Sequence, residues 1–140
     1  MCIRDSGDGE LQEGQNWEAI MYASANNIYN LICTIDNNDK QIDGDLKDVL
    51  DMGNLQLKFE AFGWIVLLIE NGNDLFEIEK ILVKAKNLCF KGKPIVLIMK
   101  TEMGNGVDFM MGTHKWHGNA PNDKQLEIAL SQNTETLGDY

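Results

Sequence analysis

The chain is poor in proline, with 2 among its 140 residues, and in cysteine, with 3. Its ordinary share of apolar and charged residues, 44% and 24%, argues against disorder, and 13 glycines without a three-residue period exclude a collagen-like repeat. Cys2, Cys33 and Cys89 are odd in number and widely spaced, and two of them sit in apolar segments, Leu31-Ile32-Cys33 and Leu88-Cys89-Phe90. They read as buried, reduced thiols in a reducing compartment, which excludes a disulfide scaffold. Basic residues are scarce as well, 12 Lys and Arg against 22 Asp and Glu, for a net charge of -10. Without a basic face, neither nucleic acid nor an anionic membrane is an expected partner, and an anionic ligand must be met by a metal ion or by backbone amides. A long apolar run is missing too. The longest, Trp64 to Ile69, falls far short of the ~20 residues that cross a bilayer, and the start lacks a basic-then-apolar signal pattern. A soluble, cytoplasmic, single-domain protein is the expectation.

What is present alternates. The glycine-rich, acidic stretch Gly7 to Gly14 leads into a helical spacing of Trp17, Ile20, Met21, Ser24 and Ile28. Leu31 to Ile35 reads as a buried strand stopping in the polar loop Asp36-Asn37-Asn38-Asp39. Leu46 to Leu50 suits a short helix, and Leu55, Lys58, Phe59 and Phe62 suit another that Gly63 ends. Trp64 to Ile69 is the next strand. Leu75, Ile78, Ile81, Leu82, Ala85, Leu88 and Cys89 form one helical stripe, ended at Gly92, before the strand Ile95 to Met99. A glycine-rich segment, 101–122, precedes a terminal helix from Asp123 to Leu130. Apolar strands separated by helices predict the α/β class, a parallel sheet covered on both faces.

Two constellations carry chemistry. Gly7-Asp8-Gly9 stands where amide donors favour a phosphate while Asp8 would repel it, unless a cation lies between them. Asn38, in the loop after the next strand, offers an amide oxygen among backbone carbonyls. These are hard ligands of the kind Mg²⁺ or Ca²⁺ prefers, and with two diphosphate oxygens and a water they complete an octahedron. Either motif alone is more often a turn or a polar loop residue; the pair is more specific. An EF-hand started at Asp39 fails because Leu50 stands where a bidentate Glu is required, and no Gly-Lys-Ser/Thr opens a helix as a P-loop needs. His114 and His117 lie together in the long loop, where either could serve near neutral pH as a proton donor or diphosphate ligand. Their spacing and the lack of a nearby Cys speak against zinc.

Gly7-Asp8-Gly9-Glu10-Leu11-Gln12-Glu13-Gly14-Gln15-Asn16-Trp17-Glu18-Ala19, followed by Ile35 to Gly44, closely resembles the thiamine-diphosphate motif of transketolases. Phe59 to Trp64, Glu70 to Asp74, Lys93-Pro94, Gly104 to Met110 and His114 to Pro121 resemble that family in the same order. The likeness is greatest to the N-terminal subunit of split, two-chain transketolases. It implies a thiamine-diphosphate-binding α/β fold and transfer of a two-carbon ketol unit from a ketose phosphate to an aldose phosphate. Carried over, the Asp8 and Asn38 side chains bind the metal, with the Lys40 carbonyl or its neighbour as third ligand, since Asp39 occupies a position where the family usually has Lys. By the same resemblance Gly9 meets the diphosphate through its amide, Ile42 touches the thiazolium ring, His117 contacts the diphosphate and substrate, and Glu13 and Glu18 join an acidic network at a dimer interface.

The implied partners are a C-terminal subunit bearing the pyrimidine-binding domain, in a dimer of such pairs, and sugar phosphates. The activating glutamate belongs to that other subunit, so the chain alone is expected to be inactive. In the family a buried strand runs into Gly-Asp-Gly, and no apolar strand fits in Met1 to Ser6. These six residues are therefore expected to be a foreign leader, with 7–140 the C-terminal part of the domain. Other thiamine-diphosphate enzymes, of the dihydroxyacetone or deoxyxylulose-phosphate synthase type, and a non-catalytic fragment stand as alternatives.

Overall fold

A computed structural model describes residues 1–133, so the last seven residues of the expected 7–140 domain lie outside the described part. Four parallel strands form the sheet: β1 (Cys2–Gly7), β2 (Leu31–Asn37), β5 (Ile65–Ile69) and β6 (Ile95–Lys100), in the order β1-β2-β6-β5. Between β2 and β5 lie a small hairpin, β3 (Lys40–Gln41) and β4 (Gly44–Asp45), and two short helices, α2 (Leu46–Leu50) and α3 (Leu55–Ala61). Helix α1 (Gly14–Ala25) connects β1 to β2, α4 (Leu75–Leu88) connects β5 to β6, and α5 (Asp123–Gln132) follows the long loop.

The α/β expectation holds. Alternate residues of the central strands point to opposite faces, as a sheet buried on both sides requires. Val96 and Ile98 of β6 pack with Cys33 and Ile35 of β2 toward α1 and α3, where Ile20, Phe59 and Trp64 complete one core. Ile95 and Leu97 pack with Ile32, Leu67 and Ile69 toward Ala85 and Cys89 on the α4 side. The buried pair Cys33 and Cys89 thus belongs to opposite layers, while Cys2 is exposed. Asp74 starts α4 by accepting the Phe76 amide at 2.8 Å, and Asn54 starts α3 by accepting that of Leu57 at 2.9 Å.

Four expectations need correction. A strand, though not an apolar one, does occupy the first residues: Cys2 to Gly7 pair in parallel register with Leu31 to Asp36. This strand is invisible to an apolar pattern because it joins the sheet through its backbone and its first four residues are exposed. Leu75, on the expected stripe of α4, is 78% exposed, because the helix begins there, ahead of the turns that reach the sheet. Met21 is exposed on α1, where Ala23 is buried, and Ile28 lies in the turn after the helix. Trp64 precedes β5, and its indole N–H donates to the Ile20 carbonyl at 3.0 Å inside the core. Among the described residues no helix is long and apolar enough to cross a membrane.

Candidate functional site

Beyond the carboxyl ends of β1 and β2, where ligands of open parallel sheets bind, the loops enclose a cavity of about 410 Å³. Asp8, Gly9, Glu13, Asn38, Lys40, Ile42 and His117 all line it. Three separate stretches of sequence are thus brought to one place. Glu18 is exposed on α1 away from the cavity, and His114 begins a one-turn helix (His114–Trp116) behind it.

Asp8 follows β1 directly and is only 2% exposed. One carboxylate oxygen accepts the Gly9 N–H at 2.8 Å and the other the Asp39 N–H at 2.6 Å. Burial pushes its pKa up to about 6, against the opposing pull of those two backbone N–H groups and with the help of the nearby Asp39 and Asp36 charges. A desolvated carboxylate of this kind is what a bound cation stabilises.

Asn38 accepts the Lys40 N–H on its side-chain oxygen at 2.9 Å, closing a tight turn in which Asp39 takes a left-handed φ of 59°. Asp is among the few residues that tolerate this conformation, and it is what aims the Asp39 N–H at Asp8. Lys40 then enters the hairpin, where its ammonium pairs with Asp45 at 2.7 Å across the two strands. The hairpin tip leaves Ile42 63% exposed at the cavity.

Gly9 is required by close approach. A Cβ there would lie 2.9 Å from the Gln41 Cβ and 3.9 Å from the Lys40 carbonyl oxygen. The turn after β1 therefore rests against the hairpin backbone. Glu10 accepts the Gly7 N–H at 2.7 Å and the Ser6 hydroxyl at 3.0 Å, bonds that hold its pKa below the usual carboxylate range. On the far side, the Thr101 hydroxyl donates to Asp36.

One buried carboxylate, one amide oxygen and a backbone carbonyl suit a hard divalent ion that takes its remaining ligands from diphosphate and water. Among the described residues no three His, Cys, Asp or Glu side chains gather into an all-protein metal cage. The hairpin, the Lys40–Asp45 pair and the place of Glu10 in the cavity were not anticipated. The two-residue loop of that hairpin is Ile42-Asp43, one residue ahead of the Asp43-Gly44 dipeptide that would mark a turn in the sequence.

The profile described as "Transketolase, thiamine diphosphate binding domain" matches residues 3–136. The chain belongs to the transketolase family. One subunit of the apulose-4-phosphate transketolase of Actinobacillus succinogenes is 39% identical over 127 residues, covering 91% of this chain and 45% of that protein. The same-named protein of Phocaeicola vulgatus is 36% identical over 132 residues, covering 94% of this chain and 46% of that protein. The transketolase structure of Campylobacter jejuni superposes with a TM-score of 0.83 at 36% identity, over 93% of this chain and 20% of that one. A Pichia stipitis transketolase in complex with sedoheptulose 7-phosphate gives 0.83 at 26% identity, over 92% and 19%. This transketolase-family chain thus spans less than half the length of these relatives.

Proposed function

We propose that the chain anchors thiamine diphosphate, through Mg²⁺ or Ca²⁺, in a two-chain transketolase that moves a two-carbon ketol unit from a ketose phosphate to an aldose phosphate. The observation that carries this reading is the convergence of Asp8, Asn38, Lys40 and His117 on one cavity in a thiamine-diphosphate-binding domain. Bound there, the cofactor supplies the electron sink that lets a carbon–carbon bond beside a carbonyl break and re-form. The Asp8 carboxylate, the Asn38 amide oxygen and the Lys40 carbonyl hold the metal, and the Gly9 amide faces the diphosphate. Ile42 presents an apolar surface to the ring, and the His117 imidazole donates an N–H to a diphosphate oxygen or a substrate hydroxyl. Glu13 and Glu18, both exposed on this single chain, are available to a subunit boundary.

The partner is a C-terminal subunit with the pyrimidine-binding domain, in a dimer of such pairs, working in the cytoplasm on sugar phosphates. Two relatives whose names mark each as one subunit of a larger transketolase support a divided enzyme. Their names also place apulose 4-phosphate in the panel of donors to be tried. A ketol-transfer assay with that panel is expected to show no turnover from the 140-residue chain alone. Turnover by the chain without a second subunit would contradict the division of labour.

A further inference from the structure

We propose that Glu102 is a positioning residue that sets the loop bearing His117 against the diphosphate cavity, an inference that rests on the reading of that cavity given above. Glu102 is fixed to the scaffold first through its backbone. Its N–H donates to the Asn73 side-chain oxygen at 2.7 Å, in the loop between β5 and α4. That loop is pressed against the end of β6: a Cβ on Gly72 would lie 2.7 Å from the Thr101 Cγ2, and the Gly72 N–H donates to the Lys100 carbonyl at 2.7 Å.

From this fixed point the Glu102 carboxylate reaches ten residues ahead and accepts the Gly112 N–H at 2.7 Å. The bond closes 102–112 into a compact loop whose ends meet, and a charged acceptor makes it stronger than a neutral one. Gly112 turns the chain with a left-handed φ of 71°, and Thr113 caps the following turn by accepting the Lys115 N–H at 3.3 Å. Trp116 folds back on the closed loop, its indole N–H donating to the Phe109 carbonyl at 3.0 Å and its ring meeting the Phe109 ring edge-on at 5.1 Å. The His117 N–H donates to the His114 carbonyl at 2.9 Å, so its direction follows from the turn that Gly112 begins. The Trp116–Phe109 contact ties the histidine turn to the 102–112 loop, which is also held to α5 by the Asp108 N–H donating to the Gln132 side-chain oxygen at 2.9 Å. The Glu102–Gly112 bond ties the stretch just before the histidines to the sheet end that also carries Asp36 and Thr101.

Amide hydrogen exchange on the full chain tests this without any cofactor. Glu102→Ala is expected to speed exchange across 104–118 about tenfold, with β6 exchange and the melting temperature unchanged. Glu102→Gln, which keeps a carbonyl acceptor, is expected to stay within about threefold of the wild type. Exchange in 104–118 unaffected by Glu102→Ala, or raised equally by both variants, would overturn the proposal. Inorganic diphosphate with Mg²⁺ gives the second readout: affinity falls several-fold in Glu102→Ala and returns in Glu102→Gln. Equal affinity in all three proteins would overturn the positioning role. If the wild type itself fails to bind while exchange behaves as expected, the cavity has been misread and the positioning role falls with it, leaving only a loop latch.

Discussion

The backbone N–H of Asp39 donates to the Asp8 carboxylate at 2.6 Å, joining the turn after β1 to the loop after β2 through the site's one buried carboxylate. Two loops that sequence separates by thirty residues therefore share an acceptor. Asp8→Ala removes that acceptor from both Asp39 and Gly9 and is expected to cost about 1–3 kcal/mol in urea unfolding of the metal-free chain at acid pH, where the carboxyl holds its proton. An unchanged midpoint would show that water replaces the carboxyl without penalty.

Asp8 also sets a pH dependence. Its pKa in the fold, about 6, lies above the ordinary 3.8, so the folded state takes up this proton more readily than the unfolded one. Protonation therefore favours folding, and that advantage is lost as pH rises from about 4 through about 6. In metal-free melts the stability of the wild type relative to Asp8→Ala should fall across that window. Mg²⁺ with diphosphate should restore it above pH 6, the cation standing where the proton stood. A difference between the two proteins that is flat in pH would count against the desolvated carboxylate.

Gly9→Ala would place a methyl 2.9 Å from the Gln41 Cβ. The hairpin has to move, and overpacking of this kind costs about 1–3 kcal/mol. Because Lys40 is the next residue, Mg²⁺-dependent diphosphate binding should weaken along with the melting temperature. Full retention of both would mean the hairpin is not held against Gly9 in solution.

Trp64→Phe tests the core beneath the site. It keeps a ring near Phe59, now 5.5 Å away edge-on, and leaves the Ile20 carbonyl without its indole donor. A loss of about 1–3 kcal/mol is expected, with diphosphate binding unaffected.

Arg4→Val should act in the other direction. Arg4 and Ser6 border a cavity of about 140 Å³ against Leu11, Ile20, Cys33 and Trp64, where β1 brings polar side chains to an apolar core. A β-branched apolar residue suits both the strand and the space, and a gain of about 0.5–2 kcal/mol in thermal unfolding is expected. Destabilisation would mean that the Arg4 stem already fills the gap.

The parts of the fold legible in the sequence are those whose side chains carry a period. Strand β5 and the stretch Ile95 to Met99 of β6 are unbroken apolar runs, β2 starts as one, and α4 repeats Ile78, Leu82 and Ala85 on one face. Strand β1 pairs through its backbone with exposed side chains, and β3 and β4 have two residues each, so neither leaves a pattern to read. In the site, residue chemistry alone points to an oxygen-ligated cation at Gly7-Asp8-Gly9 and Asn38 and to His114 or His117 as a proton donor or diphosphate ligand, whereas the choice of His117 and the roles of Lys40 and Ile42 come from family resemblance. The burial of Asp8 arises only when distant loops meet, and the reach of Glu102 to Gly112 depends on how one ten-residue loop closes, which no hydrophobic period reports.

In the proposed function Asp8 anchors a metal-bound diphosphate. Titration calorimetry of thiamine diphosphate into the chain mixed with a matching C-terminal subunit, with and without Mg²⁺, for the wild type and Asp8→Ala, tests it most directly. Mg²⁺-dependent binding by the wild type, lost in the variant, is the expected result. Binding that needs no metal, or that survives Asp8→Ala undiminished, would contradict it.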